Sequence, residues 1–280
     1  MALKTSGAIS FSEIAAEFGG AAPYSLSAYY RGGARVPASA GTVPASGAIS
    51  FSQFYGAANK TVVSKAITAN VSNLTIAPSS IPGYVAGMSI VQISIGAGVV
   101  VSASSTGSYA LQIAAFASGD EVTLINNGTI VGMGGAGGAG ISTVGSPPFP
   151  GLAGGPALKV NSAISITNNG TIAGGGNGGA GGTAAKASTK SATTHGGGGG
   201  GGRSGLTNSA GGEGTVVSKS GSPGTFSAPG VGGAGANSST VSTVLARAGV
   251  TGGAWGGGAC VAGSGNVTWV NKGALYGALA

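Results

Sequence analysis

Chemistry needs acids, bases, nucleophiles or metal ligands, and this chain has few of them. Its 280 residues hold five carboxylates (Glu13, Glu17, Asp120, Glu121 and Glu213), one histidine (His195) and one cysteine (Cys260). Glu13 and Glu17 are four apart, so a helix would set them on one face as an acid pair. Solvated helix carboxylates have the same spacing. No Ser-His-Asp or Cys-His set can be drawn from so few groups. No cluster has metal-ligand spacing, and a single cysteine makes no internal disulfide. "GGGGGGGRS" shares only its glycines with a phosphate-binding loop, lacking the Gly-Lys-Ser/Thr ending and a preceding strand. Asn127-Gly128-Thr129 and Asn169-Gly170-Thr171 fit a glycosylation pattern, but Asn-Gly has a sufficient reason as a turn. The expectation is a non-enzymatic protein with no cofactor and no metal.

The remaining residues must then build a surface. Apolar types make up 42% of the chain, charged types 6%, and 60 residues are glycine. Disordered chains combine low hydropathy with high charge, which is not the case here. The net charge of +7 comes from scattered cations with no basic stripe between aromatics, so nucleic acid is not an expected partner. A mild positive field favours either solubility or an anionic surface such as a bacterial envelope. The uncharged stretch 84–104 is broken by Ser89, Gln92, Ser94, Gly96 and Gly98, and reads as strands rather than a membrane span. The start, "MALKTSGAIS", lacks the apolar core of a secretory signal.

Three regions follow. In residues 1–59, "SGAISFSEI" from Ser6 returns as "SGAISFSQF" from Ser46, with a third echo, "YSLSAYY", from Tyr24. Three short helices are predicted, capped by Ser12, Ser27 and Ser52 and stopped by Gly19, Gly32 and Gly56. Phe11, Phe18, Tyr30, Phe51, Phe54 and Tyr55, with Leu26, would form a small docking plug. In residues 60–123, β-branched runs at 71–76, 88–95, 99–104 and 109–116 alternate with turn punctuation. That spacing predicts an antiparallel β domain, a sandwich or jelly-roll-like wrap.

Residues 124–280 are different again. The segments "VTLINNGTIVG" (122–132), "ISITNNGTIAG" (164–174) and "VTWVNKGALYG" (267–277) share one pattern: apolar, polar, apolar, x, Asn, x, Gly, x, apolar, x, Gly. Their uneven spacing argues against a uniform solenoid repeat. Between Gly132 and Gly265 lie 43 of the 60 glycines, partly as Gly-Gly-x. A period of three is that of polyproline II, which has no internal hydrogen bonds. One edge of each run would carry a side chain, as at Ala136/Ala139 and Asn177/Ala180. Bare edges let backbones approach and bond to neighbouring runs, as buried backbone groups require. A flexible linker would not repeat Ile, Leu and Trp around Asn-x-Gly, and collagen would keep its triplet register and more proline.

The 6–57 segment resembles the start of many tailed-bacteriophage tail and fibre proteins. The "INNGTI" elements, their glycine triplets and "VTWVNKGALYGAL" resemble the glycine-rich modules of phage tail-fibre and tail-tip proteins, some of which are fibre-tip adhesins with a polyglycine II sandwich. The resemblance implies a mainly β chain with a small helical N-terminal unit, an antiparallel β domain and a C-terminal polyglycine II sandwich. It implies a virion tail location, attachment to other tail proteins through residues 1–59, and contact with a host envelope glycan or outer-membrane protein through distal loops. The chain would be a trimer or a monomer on a trimeric fibre. Candidate loops are 142–156, 183–203 and 220–247. Aromatic and arginine side chains dominate interfaces, which selects Phe149, Arg203, Phe226 and Trp255. A purely architectural virion component is the alternative.

Overall fold

A computed structural model describes residues 3–38, 40–184, 194–215, 218–234, 236–237 and 247–280. The candidate segments 185–193 and 238–246 lie outside these. The chain divides into two compact units, one made of Met1–Lys65, Pro78–Gln92 and Phe116–Thr123, the other of Ala66–Ala77, Ile93–Ala115 and Leu124–Ala280.

The first unit has an ordinary oily core. Helix α1 (Phe11–Phe18) and the 3-10 turns Leu26–Tyr29 and Phe51–Phe54 bury Ile14, Phe18, Tyr29, Val36, Val43 and Phe54 together. The caps sit two residues earlier than the sequence suggested: Ser10, Ser25 and Ser50 rather than Ser12, Ser27 and Ser52. Ser10 and Ser50 each make a capping box, with Glu13 and Gln53 three residues on. The large apolar residue after each capping serine (Phe11, Leu26 and Phe51) is thereby the first helical residue.

The antiparallel expectation is overturned. Apart from one two-residue pair, the described strands form three sheets, and successive strands turn corners from one sheet to the next instead of folding back on each other. The first sheet takes Thr61–Ile67, Ser89–Ile95, Glu121–Asn126, Ile164–Asn168 and Val267–Asn271 in that order. The second takes Val71–Ser72, Val100–Ser102, Thr129–Val131, Thr171–Ala173 and Ala274–Tyr276, all parallel. The third takes Leu74–Ile76, Leu111–Ile113, Leu158–Val160 and Val261–Ala262, also parallel. Each strand therefore pairs with its counterpart one coil later. Among the described residues, the two-residue pairing of Thr194–His195 with Ala236–Asn237 is antiparallel.

In-register stacking explains the β-branched runs. Val71, Val101, Ile130, Ile172 and Leu275 form one ladder, and Leu74, Leu111, Leu158 and Val261 another. Both run through the interior, where Val101, Ile130, Ile172, Leu111, Leu158 and Val261 are fully buried. The recurring Asn-x-Gly is the coil's corner, and asparagine serves there because both ends of its amide are used. Asn126 Oδ1 accepts from Gly128 N (3.1 Å), while its Nδ2 donates to Asn168 Oδ1 of the next coil (2.7 Å). Asn168 Nδ2 in turn donates to the carbonyl of Lys272 (2.6 Å). A second, outer ladder joins Asn127, Asn169 and Asn271. The third copy is offset by a bulge between Ile166 and Thr167, which puts Asn271 in the outer ladder. A Cβ on Gly170 would stand 2.0 Å from the Gly128 carbonyl, so the corner tolerates only glycine.

Two coils are interrupted between their second and third strands by the glycine-rich excursions. These fold into a bundle of extended runs joined by backbone bonds at every third residue. The amides of Gly132, Gly135, Gly138 and Ile141 donate to the carbonyls of Ala173, Gly176, Gly179 and Gly182. The 196–204 run occupies the middle. Its residues 196, 199 and 202 donate to run 132–141; 197, 200 and 203 donate to run 247–258; 198, 201 and 204 donate to run 219–225. Its carbonyls accept from runs 174–183, 208–214 and 229–234. These six neighbours also bond to one another in a closed ring: 132–141 to 174–183, then 247–258, 229–234, 219–225, 208–214 and back. A run enclosed on every side has no edge for a side chain, and here seven consecutive glycines are buried. A Cβ on Gly200 would lie 1.9 Å from the Gly230 carbonyl.

Candidate functional site

Four of the five carboxylates are engaged in holding structure. Glu13 pairs with Lys4 (2.6 Å) and accepts from Ser10 N (2.7 Å). The Lys4 ammonium, then the Ser10 donors, hold its carboxyl down at about 2. Glu17 accepts from the Asn59 amide (2.8 Å). Asp120 gathers Tyr84 Oη (2.6 Å) and the amides of Ser89 and Ala117 (both 3.1 Å). Burial, and then the Asp120 carboxylate, push the Tyr84 phenol above its ordinary range. Glu121 pairs with Lys60 (2.7 Å). Cys260 is buried against the carbonyls of Gly277 and Ala278, and burial raises its thiol. Among the described residues no group of three His, Cys, Asp or Glu could hold a metal, and no helix is long and apolar enough to cross a membrane.

The surface candidates fall at opposite ends of the glycine bundle. Run 132–141 leaves the coil and ends in the turn 142–148, after which run 149–156 returns: Gly155 N bonds Met133 O near the coil, and Gly181 N bonds Phe149 O far from it. Phe149 is 58% exposed and lines a groove of about 320 Å³ with Ile141, Thr143 and Pro147. The flanks of the 183–196, 214–219 and 234–247 connections reach the same end, because Gly182, Gly197, Lys219, Ala234 and Arg247 are bonded through neighbouring run ends.

Arg203, Phe226 and Trp255 cluster at the coil end. The Arg203 guanidinium lies 3.7 Å from the centre of the Trp255 ring, and its Nε donates to the Phe226 carbonyl (2.9 Å). Phe226 meets Trp255 edge-on at 5.3 Å. Trp255 packs over Val100, Val131 and Ala173 and near Tyr276. Sequence reasoning missed Tyr276, although it sits in the third Asn-x-Gly repeat. In the first unit, Phe18 and Phe54 are buried (4% and 0% exposed). Phe11, Tyr30, Phe51 and Tyr55 are half-buried and reach the surface.

The family model described as phage tail fibre adhesin Gp38 matches residues 58–280. A solved structure, described as the gp37-gp38 adhesin tip complex of the bacteriophage S16 long tail fiber, is similar with 21% identity and a TM-score of 0.48, covering 99% of this chain and 100% of that chain. No curated protein matches. The resemblance drawn from the Asn-x-Gly elements and glycine triplets is thereby borne out. The chain belongs to the Gp38 family of phage tail fibre adhesins, proteins of the virion tail.

Proposed function

We propose that this adhesin binds the host-cell surface through the turns at the far end of its glycine bundle. Residues 1–59 hold it on other tail proteins through Phe11, Tyr30, Phe51 and Tyr55. The observation that carries this reading is the closed ring of six runs around 196–204, which brings the roots of four connections to one end. The runs are polyglycine II helices, in keeping with bonds at every third residue and no bond within a run. The chain acts without catalysis. Its ligand is an envelope glycan or an outer-membrane protein, contacted by Phe149 and the apolar groove beside it. Arg203, Phe226 and Trp255 act instead as a brace where the runs rejoin the coil. Because the ring closes within one chain, a single copy suffices.

Purified protein should compete with virions for host cells. Shortening 142–148 together with Phe149→Ala should raise the concentration needed to block infection at least tenfold, while amide protection of 196–202 stays intact. Equal blocking by this variant would remove the 142–149 turn from the site. No blocking by the unaltered protein would favour an architectural role.

A further inference from the structure

The glycine-rich region is short of negative charge. Residues 124–280 hold seven lysines and arginines against one carboxylate, Glu213. Glu213 stands toward the far turns, where its carbonyl accepts from Gly140 N. Arg203 stands at the coil end, its amide bonded to the Gly253 carbonyl. Among the described residues, ion pairs join Lys4 to Glu13 and Lys60 to Glu121, and none reaches Arg203.

The guanidinium is nevertheless held in place. Its Nε is committed to the Phe226 carbonyl (2.9 Å), and it lies 3.7 Å from the centre of the Trp255 ring. Trp255 is fixed in turn, because its Nε1 donates to the Ser204 carbonyl (3.3 Å) and its ring rests against Val100, Val131 and Ala173. A guanidinium carries five N–H donors in a rigid plane. Bracing uses one of them and the stacked face. The edge with the two terminal nitrogens makes no bond among the described residues. Two partly exposed aromatics flank the stack: Phe226 (38%) and Tyr276 (47%), centred 5.3 and 6.3 Å from the Trp255 ring. The Tyr276 hydroxyl also has no partner among the described residues.

We propose that this cluster is a second ligand site, at the coil end of the bundle, for the carboxylate of an acidic sugar. The two terminal nitrogens of Arg203 take the carboxylate bidentately, which is the strong form of a charge-assisted hydrogen bond. The fork is already oriented by its stack and its Nε bond, so little freedom is lost when the ligand arrives. Tyr276 and Phe226 cover the C–H face of the pyranose, whose slight positive charge suits the negative face of an aromatic ring. Inorganic phosphate fits the fork but gives these rings nothing to cover. The site is separate from the 142–149 turn and does not depend on it.

The test titrates the purified, isotope-labelled full chain with methyl glucuronoside and, in parallel, with methyl glucoside and inorganic phosphate. The readout is the pair of indole N–H resonances from Trp255 and Trp269, told apart with Trp269→Phe. The glucuronoside should move the Trp255 signal and leave that of Trp269 in place, with glucoside and phosphate binding at least tenfold more weakly. Arg203→Gln should abolish the response. Arg203→Lys keeps the charge without the fork and should weaken binding at least fivefold. Tyr276→Ala should weaken the glucuronoside while leaving phosphate unchanged. Unaltered amide protection of 196–202 verifies the fold, and if Arg203→Gln fails to fold, the Tyr276 variant and the three ligands still decide. Equal binding of the glucoside would reduce the cluster to a neutral sugar shelf, and equal binding of phosphate to a bare anion site. Either result overturns the proposal, as does a Trp255 signal that none of the ligands moves. Phe149→Ala should bind the glucuronoside as the unaltered chain does, so this site and the far turns fail or stand separately.

Discussion

The first unit and the glycine bundle of the second stabilise themselves by different means. The first buries aromatic and aliphatic side chains, with Ile14, Tyr29 and Phe54 at its centre. The glycine bundle buries backbone, and its central run has no side chains from 196 to 202. In the first, non-directional burial of area supplies the stability, and the shape of the pieces is negotiable. In the second, amides and carbonyls meet at every third residue, and a single extra carbon has nowhere to go. An oily core tolerates a change of volume better than a lattice of backbones tolerates any volume at all.

The sharpest way to break this contrast is Gly200→Val. Its Cβ would begin 1.9 Å from the Gly230 carbonyl, on a run with no free edge. A loss of at least about 4 kcal/mol is expected, in the exceptional range for one substitution, with amide protection lost across all six surrounding runs. Ala139→Gly, on an outer edge of the same bundle, should cost no more than about 1 kcal/mol. Equal effects from the two would mean that the middle run is not enclosed. Phe54→Ala should cost about 3–5 kcal/mol by opening a cavity in the first unit, read as loss of its near-ultraviolet signal. Amide protection in 196–202 should survive, and its loss would show that the two kinds of interior are not separable. Asn126→Ala sits between the extremes. It leaves Gly128 N and Asn168 Oδ1 without their partner, for about 1–3 kcal/mol in urea titration. The smallest effect is electrostatic. Glu13 has its folded value lowered from 4.5 to about 2. Its contribution is therefore complete above pH 4.5 and is lost as pH falls toward 2. Unfolding temperatures of the first unit should drop over that window, and Glu13→Gln should flatten the drop. A drop unchanged in the variant would assign it to other carboxylates. Exposure and salt keep this effect small.

Much of the bundle was legible because its signal is local. Gly-Gly-x has its period written in neighbouring residues, and Ala136, Ala139 and Ala180 stand where a free edge permits them. The short helices were legible for the same reason, although the cap positions slipped by one Ser-x-Ser step, since both serines precede the same turn. Strand direction was not legible. Asn-Gly makes a hairpin and a coil corner with the same residues, and only the partner strand distinguishes them. That partner lies one coil away, with coils starting at Thr61, Ser89, Glu121, Ile164 and Val267. The widening intervals, caused by the glycine excursions, hid the repeat. Among the candidate contact residues, chemistry selected Arg203 and Trp255 but not their mutual stacking, because the residues are brought together by two separate runs, 196–204 and 247–258, that lie side by side in the bundle.

The transverse bonds of the glycine bundle also have a mechanical consequence. A pull on the far turns, directed along the runs, would load those bonds side by side and in shear. None could open singly ahead of the rest, as happens when a hairpin is peeled from its end. Pulled in that direction, the bundle would yield abruptly and late rather than unravel run by run.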